Sequence, residues 1–196
     1  PMPFDIDKKN NLAKLANHDK SKKGSVDEEI LWLVEQINGL DDFHTLSSCA
    51  GRVMLIGEPD DRRKDQLTWL LASHQPVDPE EAGKALDSSK DSNVWLKMEG
   101  PILHVCARDF DSAARLLDIA ERAGFRRKGL ISVRKRFIAE MYSSQYIEMP
   151  VRQEGRMLLT EEGLKDSIRI ANQRLEKSRE ILKRFSALLD DKEEQH

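Results

Sequence analysis

The end of the chain constrains its fold most. Leu164, Ile168, Ala171, Leu175, Ser178, Leu182, Phe185 and Leu189 recur at alternating spacings of four and three. At helical pitch that spacing winds them into one stripe, so residues 160–190 are expected to form one long helix with an apolar seam. A seam of that length has to be covered. The expectation is that it packs on the protein's own sheet or helices. A coiled-coil partner is the alternative, weakened by Ala171 and Ser178 within the seam.

Upstream the pattern changes. Ser25-Val26-Asp27-Glu28 has the form of a capping box, followed by Ile30, Leu33, Val34 and Ile37 at helical spacing, which predicts a helix over 26–38. Short β-like runs follow at 43–48 and 52–56, around the turn Cys49-Ala50-Gly51. Further runs lie at 67–73, 93–98 and 102–107, the last two straddling Gly100-Pro101, which reads as a tight turn. Pro79 opens a short helix to Leu86. Asp109 or Asp111 can cap a helix through Ala123 that Gly124 ends. Strands are expected at 131–133, 137–142 and 146–149. Helices and strands alternate irregularly, so the expected class is α+β, with a mixed sheet flanked by helices and the long C-terminal helix.

A chain of 196 residues suits one domain, 1–196, with residues 1–24 as an N-terminal arm. Charged residues make up 34% and the net charge is -3, so bulk electrostatics cannot coat nucleic acid, and any RNA contact needs a local basic patch. Cys49 and Cys106 are too few to staple a secreted scaffold, no signal-like apolar stretch opens the chain and none is long enough to span a membrane; the expected setting is cytoplasmic.

Glycine motifs are missing. There is no P-loop and no Gly-x-Gly-x-x-Gly after a strand, so a Rossmann-type cofactor site is not expected. Candidate chemistry lies elsewhere. Thr45-Leu46-Ser47-Ser48-Cys49-Ala50-Gly51-Arg52 puts small hydroxyls, a thiol and a guanidinium around a turn, which suits a polar or phosphorylated ligand; the alternative is tightly packed small residues and a strand-edge ion pair. Asp19, Lys20, Ser21, Lys22, Lys23 and Gly24 precede a helix start and suit a phosphate or carboxylate, or are a solvated loop, and Asp27 can be only a helix-start acid. His74 follows one apolar strand and His104 lies inside another, where each is either a catalyst or a hydrogen-bonded structural residue. Metal binding is not expected, because the histidines and cysteines show no close-paired spacing. Between Phe125 and Phe137 stand Arg126, Arg127, Lys128, Arg134, Lys135 and Arg136 with no acid, a run that can track a phosphate backbone. Arg62, Arg63 and Lys64 can extend it.

Taken in order, Asp19, Lys20, Ser21, Lys23, Gly24, Asp27, Ser47-Ser48-Cys49, Gly51-Arg52, Trp69, Ser73-His74, Glu99, Leu103-His104-Val105, Ala123-Gly124-Phe125 and Asn172 resemble one family: the tRNA wybutosine-synthesis methyltransferases that act on the imidazopurine nitrogen N4. The length resembles the stand-alone archaeal members. One position departs: the family commonly reads Ser-Ser-Cys-Ser-Gly-Arg, and here Ala50 replaces the last Ser. The resemblance implies S-adenosylmethionine as methyl donor, the anticodon loop of tRNA(Phe) as partner, and a fold unlike the usual methyltransferases. Carried onto this chain it implies Ser47, Ser48, Cys49, Gly51 and Arg52 toward the cofactor, and Asp19, Ser21, Lys23 and Asp27 toward the RNA, to which the basic run itself adds Arg126, Arg134 and Arg136. His104, then His74, is the favoured base for the acceptor nitrogen, with no metal involved. A non-catalytic RNA-binding module on the same basic surface is the alternative.

Overall fold

Local chemistry sets the element ends. Asp109 Oδ1 accepts the Ser112 N–H at 2.8 Å and caps a helix over Phe110–Ala123, which Gly124 closes at φ 107. Asp78 caps Pro79–Ser88 in the same way, with Pro at the first turn. The computed structural model describes residues 4–17, 26–58 and 67–190. Among these residues lie five helices: α1 (Phe4–Asn17), α2 (Glu28–Gly39), α3 (Pro79–Ser88), α4 (Phe110–Ala123) and α5 (Glu161–Asp190). The strands are β1 (Phe43–Cys49), β2 (Arg52–Glu58), β3 (Thr68–Ser73), β4 (Asn93–Glu99), β5 (Ile102–Ala107), β6 (Arg127–Ser132), β7 (Phe137–Tyr142), β8 (Tyr146–Gln153) and β9 (Arg156–Met157).

The class is α+β with a long C-terminal helix, as the sequence implies. The strands sort into two sheets, however, and every pairing is antiparallel. The chain divides into two compact units. Neither Cys49–Arg52 nor Gly100-Pro101 closes a hairpin: at each the chain leaves one sheet for the other, because β1 pairs with β5 while β2 pairs with β3 and β4.

The first unit comprises the chain up to Ala50, Pro101–Ser144 and the chain from Glu180 on. Its sheet has the order β1-β5-β7-β6. Leu103, Val105, Ala139 and Met141 point from one face into a core with Ile30, Leu33 and Ile37 of α2 and Leu116, Ile119 and Ala120 of α4. Leu182, Phe185 and Leu189 of α5 belong to this core, and Phe125 meets Phe185 edge-on at 5.6 Å. By strand alternation His44, His104, Cys106 and Glu140 stand on the opposite face. There α1 lies against β1, with the Phe4 ring 5.4 Å from His44 and the Asn11 amide donating to the Thr45 carbonyl.

The second unit comprises Gly51–Gly100 and Gln145–Arg179, with sheet order β3-β2-β4-β8-β9. Its core joins Val53, Leu55, Leu96, Met98 and Val151 to Leu86 of α3 and to Leu164, Ile168, Ala171 and Leu175 of α5. The seam is therefore covered within the chain. Ser178 fits it because its buried hydroxyl donates to the Leu175 carbonyl at 2.6 Å. Asn172 takes both the N–H and the C=O of Val77, at 2.9 and 2.8 Å.

Three local expectations change. The helix expected from residue 26 begins at Glu28 with Asp27 in the cap position; Ser25 lies outside the described residues. The strand expected to stop at Met149 runs on through Pro150, since a register shift between Val94 and Trp95 absorbs the missing donor. It then turns through Glu154 and Gly155, both at positive φ, into the unforeseen β9. Third, the strand expected at 131–133 spans Arg127–Ser132.

Candidate functional site

In the first unit β1 and β5 set Ser47 opposite His104, and β5 and β7 set His104 opposite Glu140. Cross-strand partners on one face bring side chains into reach. Ser47 Oγ lies 2.7 Å from His104 Nδ1, and His104 Nε2 lies 2.8 Å from Glu140 Oε1. A carboxylate only accepts, so Nε2 carries hydrogen toward Glu140; in the neutral ring Nδ1 then accepts from the Ser47 hydroxyl. His104 stands on the face opposite the core, because Leu103 and Val105 take the inward one. The result is a half-buried imidazole between a carboxylate and an exposed hydroxyl. Such an arrangement can move a proton from a bound group to nitrogen. Glu140 carries no motif in the sequence; only the β5–β7 register reveals it.

Ser48 and Cys49 are half-buried at the end of β1. Asp27, also half-buried, accepts the Ala50 N–H on Oδ2 at 2.9 Å. Ala50 is fully buried in this unit's core, so a small apolar residue suits the position where the family pattern has Ser.

In the second unit Gly51 sits at φ 82, and a Cβ there would lie 2.8 Å from the Glu99 carbonyl oxygen and 2.9 Å from Leu175 Cδ1. Arg52 faces its cross-strand partner Glu99, with Nη2 3.3 Å from Oε2, and stacks over Trp69 at 5.3 Å. Its guanidinium is thus engaged as a strand-edge ion pair. His74 Nδ1 is 2.8 Å from the Gly51 carbonyl, so that nitrogen is the donor, and the His74 carbonyl accepts from Arg179. His74 is thereby hydrogen-bonded at the Gly51 turn.

The basic run is only partly unpaired. Arg126 and Lys128 both pair with Glu121, and Arg136 with Asp7 at 2.8 Å. Arg127 lies over the Tyr142 ring at 5.8 Å. Arg134 and Lys135 are exposed between β6 and β7, with no ion pair among the described residues. Asp19, Lys20, Ser21, Lys23 and Gly24, like Arg62, Arg63 and Lys64, lie outside the described residues.

Fold and site together define an α+β protein of a non-Rossmann kind, with antiparallel sheets and the hydrogen-bonded chain Ser47–His104–Glu140 on a sheet face. The chain belongs to the methyltransferase TYW3 family, whose model matches residues 6–191. A Pyrococcus furiosus relative, named tRNA(Phe) 7-((3-amino-3-carboxypropyl)-4-demethylwyosine(37)-N(4))-methyltransferase 1, is 34% identical over 170 residues, 86% of this chain and 87% of its own. A Methanocaldococcus jannaschii methyltransferase of the same name, without the numeral, is 32% identical over 192 residues, 97% of this chain and 98% of its own. Among solved structures, the PH1069 protein of Pyrococcus horikoshii has a TM-score of 0.86 at 30% identity, over 94% of this chain and 95% of that one. A hypothetical protein from Aeropyrum pernix has a TM-score of 0.72 at 32% identity, over 82% and 95%.

Proposed function

We propose that this protein methylates N4 of the demethylwyosine-type base next to the anticodon of tRNA(Phe), with S-adenosylmethionine as donor, in the cytoplasm. Membership of the methyltransferase family and the names of the relatives support the reaction. The hydrogen-bonded chain Ser47–His104–Glu140 carries the assignment of residues.

S-Adenosylmethionine supplies an electrophilic methyl group: its carbon–sulfur bond breaks as the new carbon–nitrogen bond forms, and sulfur keeps the electron pair. The protein's part is to hold the acceptor in line and to take one proton from the ring nitrogen. The exposed Ser47 hydroxyl is the end of the chain that meets the acceptor. It passes its proton to His104 Nδ1 as it accepts one from N4. Glu140 holds the ring through Nε2–H and stabilises the imidazolium that forms. Ser48 and Cys49, half-buried polar groups at the same strand end, fit a role in holding the polar part of the donor. Arg134 and Lys135 are the exposed cations best placed to meet phosphate.

The alternative, an RNA-binding module without chemistry, gains nothing from the family match. Two measurements separate the readings. Calorimetric titration of the full chain with S-adenosylmethionine should show saturable binding; none would leave the binding module. Single-turnover methylation of demethylwyosine-containing tRNA should then fall about 10²- to 10⁴-fold in His104→Asn, with tRNA and donor affinities kept. A normal rate in that variant rejects His104 as the base.

A further inference from the structure

Beneath α1, the non-core face of the first unit's sheet holds three ligand-type side chains that methyl transfer does not use. Asp7 comes from α1, His44 from β1 and Cys106 from β5. His44 and Cys106 are direct cross-strand partners, so their side chains rise from the same face. All three are buried, at 7%, 0% and 1% exposure. One oxygen, one nitrogen and the sulfur lie within 4.8 Å of one another.

The hydrogen bonding there is incomplete. His44 Nε2 and Asp7 Oδ2 are 3.4 Å apart. Neither atom, nor His44 Nδ1, makes a hydrogen bond among the described residues. Buried polar atoms of that kind are uncommon in folded proteins and call for a partner. Burial pushes the Cys106 thiol up to about 11, with the Asp7 charge adding to it, and lowers the His44 imidazole.

We propose that Asp7, His44 and Cys106 bind one divalent transition-metal ion of the zinc class, which fastens α1 to the sheet. Two light donor atoms on a tetrahedral zinc, each about 2.0–2.1 Å from it, lie about 3.3 Å from each other, and the His44 and Asp7 donors stand 3.4 Å apart. A sulfur, a nitrogen and an oxygen suit zinc or cobalt and not magnesium or calcium. Charge closes as well. The thiol releases its proton to solvent on binding, so a dication meets a thiolate, a carboxylate and a neutral imidazole, and the buried group carries no net charge. Arg136 holds Asp7 Oδ1 at 2.8 Å, which leaves Oδ2 for the ion and fixes the carboxylate's orientation. The three residues come from distant parts of the chain, so ligand spacing could not reveal them.

The test is cobalt titration of the full chain after chelator treatment. A thiolate-to-cobalt absorption band should grow to one equivalent, and zinc should displace it and raise Tm. Cys106→Ser should lose the band, while Cys49→Ser keeps it. Arg136→Gln, a change at an exposed residue, should weaken binding about 10- to 100-fold. No band in the wild type, a band surviving Cys106→Ser, or a band lost in Cys49→Ser overturns the proposal. Should Cys106→Ser fail to fold, Asp7→Asn and Arg136→Gln decide: cobalt affinity unchanged in both overturns it.

Discussion

Asp27 stands at the cap position of α2, yet its carboxylate reaches the end of β1, where Oδ2 accepts the N–H of Ala50 at 2.9 Å. The cap residue thus ties a helix start to the Cys49–Ala50 segment instead of closing its own first turn. A charge-assisted bond to a backbone N–H contributes about 1.5–3 kcal/mol. Asp27→Ala should lower stability by that amount in urea unfolding with an unchanged m-value, and Asp27→Asn, which keeps an acceptor oxygen, by less.

Gly51 offers a sharper case. Its φ of 82 disfavours any side chain, and a Cβ would meet the Glu99 carbonyl oxygen at 2.8 Å. Gly51→Ala should destabilise by about 1–3 kcal/mol, the range for strain at such a backbone position. Urea unfolding reads this directly, and no loss of stability would mean the turn can open.

Much of this is legible in the sequence. The seam of α5, the Gly124 stop and the bounds of β5 and β7 follow from local periodicity and turn chemistry, which neighbouring residues settle among themselves. Sheet partners do not. The turns at Gly51 and Gly100 look like hairpins because a hairpin and a change of sheet use the same residues. Pro150 looks like a strand end, since the bulge beside it, with Val151 as the extra residue of β8, shows only in the pairing with β4. At the site, His104 is readable as a candidate, but its two partners depend on register across β1, β5 and β7. For His74 and Arg52 the sequence leaves a structural and a functional reading side by side, and their contacts with the Gly51 carbonyl and Glu99 depend on pairings that local pattern does not show.

Asp109 gives α4 a pH dependence. The Ser112 backbone N–H, the largest influence, holds its carboxyl below the ordinary 3.8. A carboxyl lowered by folding binds its proton later in the folded than in the unfolded state. Its stabilisation is therefore complete above the ordinary value and is lost as pH falls through the lower, folded one. Asp109→Asn, which still caps, should keep stability near neutral pH and flatten the fall below about pH 4. An identical acid limb in mutant and wild type would show that the carboxylate is not coupled to folding.

The partition of the basic run makes a binding prediction. Arg126 and Lys128 share Glu121, while Arg134 and Lys135 lie exposed. Replacing Arg134 and Lys135 together with Gln should weaken tRNA binding and reduce the salt slope by about 0.7–0.9 for each phosphate no longer neutralised. Affinity for S-adenosylmethionine should stay the same. Equal tRNA affinity at every salt concentration would assign RNA binding to another surface.

Glu140 tests the proton path most directly. Its oxygen, 2.8 Å from His104 Nε2, fixes which ring nitrogen faces Ser47. Glu140→Gln removes the charge that stabilises the imidazolium and lets an amide N–H turn toward the ring. It should cut kcat by about tenfold or more, short of the roughly 10²- to 10⁴-fold expected on losing the base itself. KM for tRNA and Tm should hold, because a half-exposed carboxylate on a sheet face contributes little to folding. Ser47→Ala then separates two routes. If Ser47 relays the proton, its loss costs as much as that of His104, and the double variant is no worse than either. If the acceptor meets His104 directly, Ser47→Ala keeps its rate while Glu140→Gln does not, and the relay shortens to imidazole and carboxylate.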